Sequence, residues 1–504
     1  MRPLNIINGN IMKSNCISIL GTGSDVGKSI LTTALCRIVY NKGYSVAPFK
    51  SQNMSNNSGI TPDGLEMGRA QIVQAQASNI VPHVDMNPIL LKPTADSLCQ
   101  VILMGNVYEN NTALEYHQNK NKLFSYACDA FDRLKNKYQN IIIEGAGSCA
   151  EVNLMGNDIV NFKMAEYANS PVILIADIHR GGVFAQIIGT LSCIDQKYQD
   201  QIAGFVINKF RGDIRLFNDG VTYIEKRTGK KVFGVVPYFD NILIDAEDSV
   251  QIEKLDNTNS KNIKYPSIGI IKLPHISNFT DFNPLFEIED INVYFIDKPQ
   301  NISYFKAIII PGTKNTRYDL SWLKRTNWAD IICEYAKNGG YILGICGGYQ
   351  MLGQYIHDPS GVESKSGSTR GLSLLSVETK MKKIKTTSIT KFSINDIYGT
   401  GYEIHMGDTV NTNESSLFNI HSRNNININD YDGAVSSDKK IIGSYIHGLF
   451  DNPKILSYWL KNIGLENLKV PLNGGLAFRD KQYNLLADHF ERFLNIDSIL
   501  KLLC

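Results

Sequence analysis

The sequence predicts two doubly wound α/β domains in tandem. Three observations carry that expectation. Short apolar runs alternate with amphipathic segments in two separate series. A Gly-rich loop ending Gly27-Lys28-Ser29 follows the first run, and a later run ends in Cys346-Gly347-Gly348. Open parallel sheets bind ligands outside the carboxyl ends of their strands, where both of these motifs fall.

In the first series, strands are expected over Cys16–Leu20, Tyr44–Pro48, Ile141–Ile143, Val172–Ala176, Ala203–Asn208 and Val232–Val236. An amphipathic helix is expected over Ser29–Tyr40. The strands are continuous apolar runs rather than alternating ones, as in a parallel sheet covered on both faces. The polar stretch Gln251–Pro266 breaks the pattern and reads as a linker. It divides the chain into a first domain over 1–250 and a second over 267–504. The second series runs Ser267–Ile271, Val293–Ile296, Ala307–Ile310 and Tyr341–Ile345, and the chain becomes β-rich after Arg370. The Asn-rich segment Asn411–Asp432 reads as a surface excursion, and Lys380–Lys385 as a solvated face or edge strand.

Composition narrows the function. A net charge of +2 on 504 residues lacks the basic excess of a dedicated nucleic-acid binder. No apolar run approaches the roughly 20 residues that span a bilayer. The nine cysteines form no CxxC pair, so metal-knuckle spacing is absent; their odd, scattered usage fits a reducing cytoplasm.

The loop Gly21-Thr22-Gly23-Ser24-Asp25-Val26-Gly27-Lys28-Ser29 stands between a strand and a helix, as a phosphate-binding loop requires. Its backbone N–H groups and the helix N-terminus favour phosphate oxygens. Lys28 is expected to neutralise the β- and γ-phosphates of ATP, and the Ser29 hydroxyl to ligate Mg2+. Thr22 stands where the usual pattern has its first Gly. Glu144 closes the apolar strand Ile141–Ile143 beside Gly145 and Gly147, a position suited to holding the same Mg2+. The longer, Asp-containing loop resembles the dethiobiotin-synthetase branch of ATPases, in which ATP activates a carboxylate as an acyl phosphate.

In the second series, Tyr341–Ile345 runs into Cys346-Gly347-Gly348 and then a helix. Such an elbow presents a nucleophile at the strand's carboxyl end. The helix N-terminus there favours a thiolate, and backbone N–H groups can hold an oxyanion. Gly347 is one expected oxyanion donor. Gly312, in Ile308–Thr316, is another. A thiol nucleophile needs a base. His447 and His405 each lie in an apolar, strand-like stretch near glycine, and spacing alone leaves the choice between them open.

The segment Gly344-Ile345-Cys346-Gly347-Gly348-Tyr349-Gln350 is similar to the elbow of class I glutamine amidotransferases. Together with Phe49–Asn57, Glu66–Gln71, Asp85–Pro93, Glu144–Ser148, Arg180–Ala185, Gly204–Asp213, Pro311–Thr316 and Tyr445–Asp451, it makes nearly the whole chain resemble the cobyric acid synthases. That resemblance implies a P-loop dethiobiotin-synthetase-like domain followed by a flavodoxin-like glutamine amidotransferase domain. It implies Cys346 as nucleophile and His447 as base, leaving His405 a structural or interdomain residue. It further implies amidation of the b, d, e and g carboxylates of adenosylcobyrinic acid a,c-diamide. The partners are then small molecules: glutamine, ATP and the corrinoid. Carboxylates held tightly must face cations, so Lys50, Arg69, Lys92, Lys209 and Arg211 are the expected substrate contacts. The rival readings are a sister amidotransferase acting on cobyrinic acid or a cell-wall precursor, and a partition-type ATPase carrying an inert amidotransferase domain as a scaffold. Two departures stand out. Leu449 occupies the position where class I amidotransferases carry the carboxylate that orients the histidine. His179 replaces the Asp of the family's Ala-Asp-Ile-Asp-Arg-Gly-Gly.

Overall fold

A computed structural model describes residues 15–95, 98–239, 242, 244–245, 264–363, 365–472 and 475–503. Most of the expected linker, 251–263, lies outside the described residues.

Two parallel sheets form the frame. The first has six strands in the order Lys231–Pro237, Ile202–Phe210, Val172–Asp177, Cys16–Gly21, Asn140–Glu144 and Val46–Phe49, all parallel. The second has five parallel strands in the order Asn292–Ile296, Ser267–Ile271, Ala307–Ile310, Tyr341–Ile345 and Ile441–Ser444, with Ala434–Val435 antiparallel at one edge. Every strand expected in the two series is present; the interior ones are apolar on both faces and buried on both, whereas the edge strand Lys231–Pro237 is only partly buried. Cys16–Gly21 sits fourth in its sheet and Tyr341–Ile345 fourth in its own, so each motif leaves from the interior of a sheet rather than from an edge.

Three features go beyond the expected pattern. The strands Ile89–Ala95, Leu98–Leu103 and Asn106–Thr112 form an antiparallel meander that also pairs with Gln52–Met54. In the second domain, Val377–Ile394 and Ile397–Asn411 form a long hairpin closed by Asn395 and Asp396, both at positive φ. The Asn-rich excursion is a hairpin too. Phe418–Arg423 pairs with Ile426–Asp432 across Asn424 and Asn425, both left-handed, and the first strand adds to the long hairpin. Asn tolerates the positive φ that a two-residue turn demands, so its enrichment there reflects turn geometry rather than a loose loop.

The third feature is the path of the C-terminal segment. In order of sequence it follows the second domain, yet the helices Leu476–Phe493 and Ile496–Leu503 pack on the first. Ile496, Ile499 and Leu503 recur at helical spacing on one face and are buried with Leu31, Ile38 and Val236. Tyr483 donates to Gln76 at 2.9 Å, Lys42 pairs with Glu491 at 2.7 Å, and Arg37 pairs with Asp480. The first domain's core is therefore completed by residues from the far end of the chain.

Candidate active sites

At the carboxyl end of the first sheet, the loop after Cys16–Gly21 curls over a cavity of about 720 Å3 lined by Lys28, Ser29, Lys50, Glu144 and Asp245, among others. Gly27 sits at φ +108, and a Cβ there would lie 2.1 Å from Asn208 Nδ2, so both conformation and space require glycine. Gly21 and Gly23 bracket Thr22, whose N–H bonds the Ile175 carbonyl at 3.1 Å and whose hydroxyl donates to Gln186. The Lys28 ammonium bridges the carbonyls of Gly23 and Gly147, each at 2.8 Å, which arches the loop around the space a phosphate chain would fill.

Glu144 is fully buried at its strand end. Its carboxylate accepts from the Ser29 hydroxyl and from the Lys50 ammonium, each at 2.8 Å, and from the Gln74 amide. A hydroxyl and a carboxylate in direct contact beside a phosphate loop are hard oxygen donors of the kind Mg2+ takes, so these two residues fit that ion.

The expected substrate cations are distributed more widely than the sequence suggested. Lys50 faces this cavity but bonds Glu144, and Lys209 pairs with Asp177 at 2.8 Å at its rim. Arg69 is held by Asp245. Arg211 lies exposed with its guanidinium 3.9 Å from the Tyr238 ring centroid. Lys92 lines the other site altogether. His179 is exposed, with its backbone N–H on Asp177 Oδ1 at 2.7 Å.

The second site is narrower, about 50 Å3. Cys346 ends its strand at φ 51 and ψ −109, a strained conformation for a residue with a side chain, as nucleophile elbows require. The two glycines after it are forced by packing. A Cβ on Gly348 would lie 1.9 Å from the Ile310 carbonyl oxygen, and one on Gly347 would lie 2.6 Å from Thr313 Cγ2. The strand-end loop carrying Gly312 thus presses against the elbow. A Cβ on Gly312 would lie 3.1 Å from His447 Cε1, so Gly312, Gly347, Cys346 and His447 share one small space.

His447 is 1% exposed and donates from Nδ1 to Asp281 Oδ2 at 2.6 Å. The other Asp281 oxygen accepts from the Gly448 N–H at 3.1 Å. Tyr402 stacks on the imidazole with centroids 5.2 Å apart. Burial alone would push the His447 pKa down, but the Asp281 carboxylate and Cys346 push it up to about 10. Leu449, at the position of the missing carboxylate, is buried in the core. Asp281 supplies that carboxylate from the short helix Phe279–Phe282, which follows the first strand of the second sheet. Its one sequence signal is an acid flanked by phenylalanines, too weak to single out.

His405 lines the same pocket but faces Gly407 O and Glu403 and stacks on Tyr445, so it is a wall residue. Replacing Asp281 with Asn leaves His447 without its anion and favours the wrong tautomer. Glutamine hydrolysis is expected to fall about 10²- to 10⁴-fold while the fold persists. Initial rates, with circular dichroism to check the fold, test this. The His447–Asp281 pair contributes stability in full below pH 6.5, and this fades as pH rises through about 10.

At the wall of the second site lies a buried ionic junction. Glu66 takes Lys92 on one oxygen at 2.7 Å and Lys385 on the other at 2.5 Å. Lys385 belongs to the segment expected to be solvated. The hairpin's register shifts between Met381 and Thr386, and this irregularity turns Lys385 inward while Ile384 stays exposed. Burial would raise the Glu66 carboxyl, yet the two lysines hold it well below the usual carboxylate range. Its contribution is therefore whole above an ordinary pH of 4.5 and is lost as pH falls below that. Glu66→Gln strands two buried ammonium groups and should cost about 3–5 kcal/mol. Chemical denaturation of the variant measures that loss.

Comparison with known proteins agrees with this geometry. Residues 17–251 match the model of the CobQ/CobB/MinD/ParA nucleotide binding domain. Residues 267–455 match that of the CobB/CobQ-like glutamine amidotransferase domain. The chain is 46% identical over 491 residues to a cobyric acid synthase of Chlorobium phaeobacteroides, covering 97% of this chain and 99% of that one. It is 46% identical to the Chlorobaculum tepidum cobyric acid synthase, covering 96% and 97%. It is 45% identical to that of Clostridium novyi, covering 95% of each. The first domain binds a nucleotide, and the second is a glutamine amidotransferase.

Proposed function

The chain belongs to the cobyric acid synthase family, and from that premise we propose that it amidates the b, d, e and g carboxylates of adenosylcobyrinic acid a,c-diamide, using glutamine and ATP, to give adenosylcobyric acid. The observation that carries this reading is the pairing of two complete sites on one chain: a phosphate loop opening on a large cavity, and a Cys–His–Asp constellation beside it. An assembled Cys346, His447 and Asp281 argue against an inert scaffold.

At the second site His447 holds the proton of the Cys346 thiol, so the sulfur attacks the glutamine amide carbon as thiolate. The N–H of Gly347 and the Gly312 loop face the oxyanion that forms. His447 then protonates the departing ammonia, Asp281 balancing the imidazolium charge. Water, deprotonated by His447, releases glutamate from the thioester. At the first site Lys28 draws the phosphates of ATP into the loop, and a corrinoid carboxylate attacks the γ-phosphorus. Ser29 and Glu144 would hold Mg2+, which supplies charge neutralisation between the phosphates. Ammonia displaces phosphate from the acyl phosphate. We infer a cytoplasmic location, since the reaction draws on ATP and glutamine.

The test is incubation of the protein with ATP, Mg2+, glutamine and the a,c-diamide, followed by mass spectrometry of the corrinoid. Four added amides, each matched by one ADP and one glutamate, are expected. A corrinoid of unchanged mass, with the protein folded, would overturn the reading.

A further inference from the structure

The His447–Asp281 pair hangs on two short segments. Strand pairing with Tyr402 fixes the His447 backbone, but Asp281 stands on the single turn Phe279–Phe282. The first domain grips that turn at both ends. Before it, Asn278 accepts from the Ser58 N–H at 3.2 Å; after it, the Asn283 amide donates to Asp245 Oδ1 at 2.8 Å. On the other arm, His447 leads through Gly448 into the turn Leu449–Asp451, and the Asp451 N–H bonds the Gly448 carbonyl at 3.2 Å. One guanidinium reaches both arms. Arg479 donates from Nη2 to Asp451 Oδ2 at 2.6 Å, and its Nε lies 3.4 Å from Asp245 Oδ2. Arg479 stands near the start of the C-terminal helix Leu476–Phe493, which packs on the first domain. The contacts close a ring: Arg479, Asp451, Gly448, Asp281, Asn283, Asp245 and back to Arg479.

We propose that Arg479 is a positioning residue for glutamine hydrolysis: it clamps the two segments that carry His447 and Asp281, and so holds the imidazole facing Cys346. The assignment rests on the glutaminase reading of that site. A planar guanidinium can meet two carboxylates at once, which the point charge of a lysine cannot. Desolvation offsets most of the attraction in a buried ion cluster, so the clamp adds little to stability. Its effect is orientation, because a 2.6 Å contact between Nδ1 and Oδ2 tolerates little displacement of either arm. The C-terminal helix thereby serves the second site while lying against the first domain.

The experiment is the pH profile of kcat for glutamine hydrolysis in Arg479→Met, with circular dichroism to check the fold. His447 meets Asp281, Cys346 and the Tyr402 ring, and the substitution leaves all three in place. A slackened Asp281 contact lowers the His447 pKa from about 10. The alkaline limb, where the imidazolium loses its proton, should therefore move down by about 1 pH unit. At the optimum, kcat should fall about 10- to 100-fold, the cost of a misplaced catalytic group, with KM for glutamine changed by less than about 3-fold. Asp480→Asn breaks the Arg37 pair on the same helix and should leave the limb where it is. An unmoved limb in folded Arg479→Met, or an equal shift in Asp480→Asn, would reduce Arg479 to a docking contact and end the proposal. Should Arg479→Met fail to fold, Asp451→Asn opens the clamp at one arm and should shift the limb in the same direction; an unmoved limb there is equally decisive against it. A wild-type protein that hydrolyses no glutamine is a different outcome, which removes the glutaminase reading and this assignment together.

Discussion

Replacing Cys346 with alanine removes glutamine-driven amide synthesis and leaves synthesis from ammonium salts. The thiol stands at the end of a strand at positive φ, and its hydrogen bond to the Ile404 carbonyl is a long one at 3.5 Å, so alanine should leave the fold in place. Loss of the nucleophile should lower glutamine hydrolysis about 10⁵-fold or more, the scale seen when a nucleophile acting in concert with its base is removed. The first site is untouched, so ammonia supplied from solution still meets the acyl phosphate. Rates with ammonium chloride at alkaline pH, where the free base is abundant, check this arm. Loss of both activities in a folded variant would show that the two sites do not divide the work as described.

Lys28→Ala gives the converse pattern. The ammonium bridges two loop carbonyls that come from opposite sides of the nucleotide site. In the proposed reaction it would also stand where charge gathers on the transferred phosphoryl group. Removing a cation from that position should lower ATP-dependent amidation about 10³- to 10⁵-fold. Glutamine hydrolysis should persist, because the Cys346 site lies in another sheet. Amidation at the wild-type rate in this variant would refute the phosphate-loop assignment. Paired ADP and glutamate assays on one preparation separate the two effects.

Both of these residues were legible because their chemistry is contiguous. A strand, a glycine turn and a helix lie within about a dozen residues at each site, and local geometry alone presents the side chain. The strands of both sheets were legible for a similar reason, since runs buried on both faces need no knowledge of their neighbours. What escaped depends on contacts between distant segments. Asp281 meets His447 across 166 residues, and nothing near His447 announces it. Lys385 sits in a run of lysines whose pattern reads as solvated, and only the register shift in its hairpin turns it inward. Lys92 and Arg69 are cations beside glycine-rich, polar blocks, as the substrate reading required. Their partners Glu66 and Asp245 are visible only in the folded chain. The C-terminal helices show clear periodicity, yet periodicity specifies a buried face and not the surface that buries it.

Those helices also set the order in which the molecule can be made. The first domain to leave the ribosome lacks part of its own core until residues 476–503 have been synthesised, long after its last strand. Until then Leu31, Ile38 and Val236 face solvent on a half-finished surface, which is what chaperones bind and what aggregates. The amidotransferase module, by contrast, has all five of its parallel strands once Ser444 has emerged. The nascent enzyme therefore completes its ammonia-producing half before its ammonia-consuming half, whose core is closed by the helices Leu476–Phe493 and Ile496–Leu503.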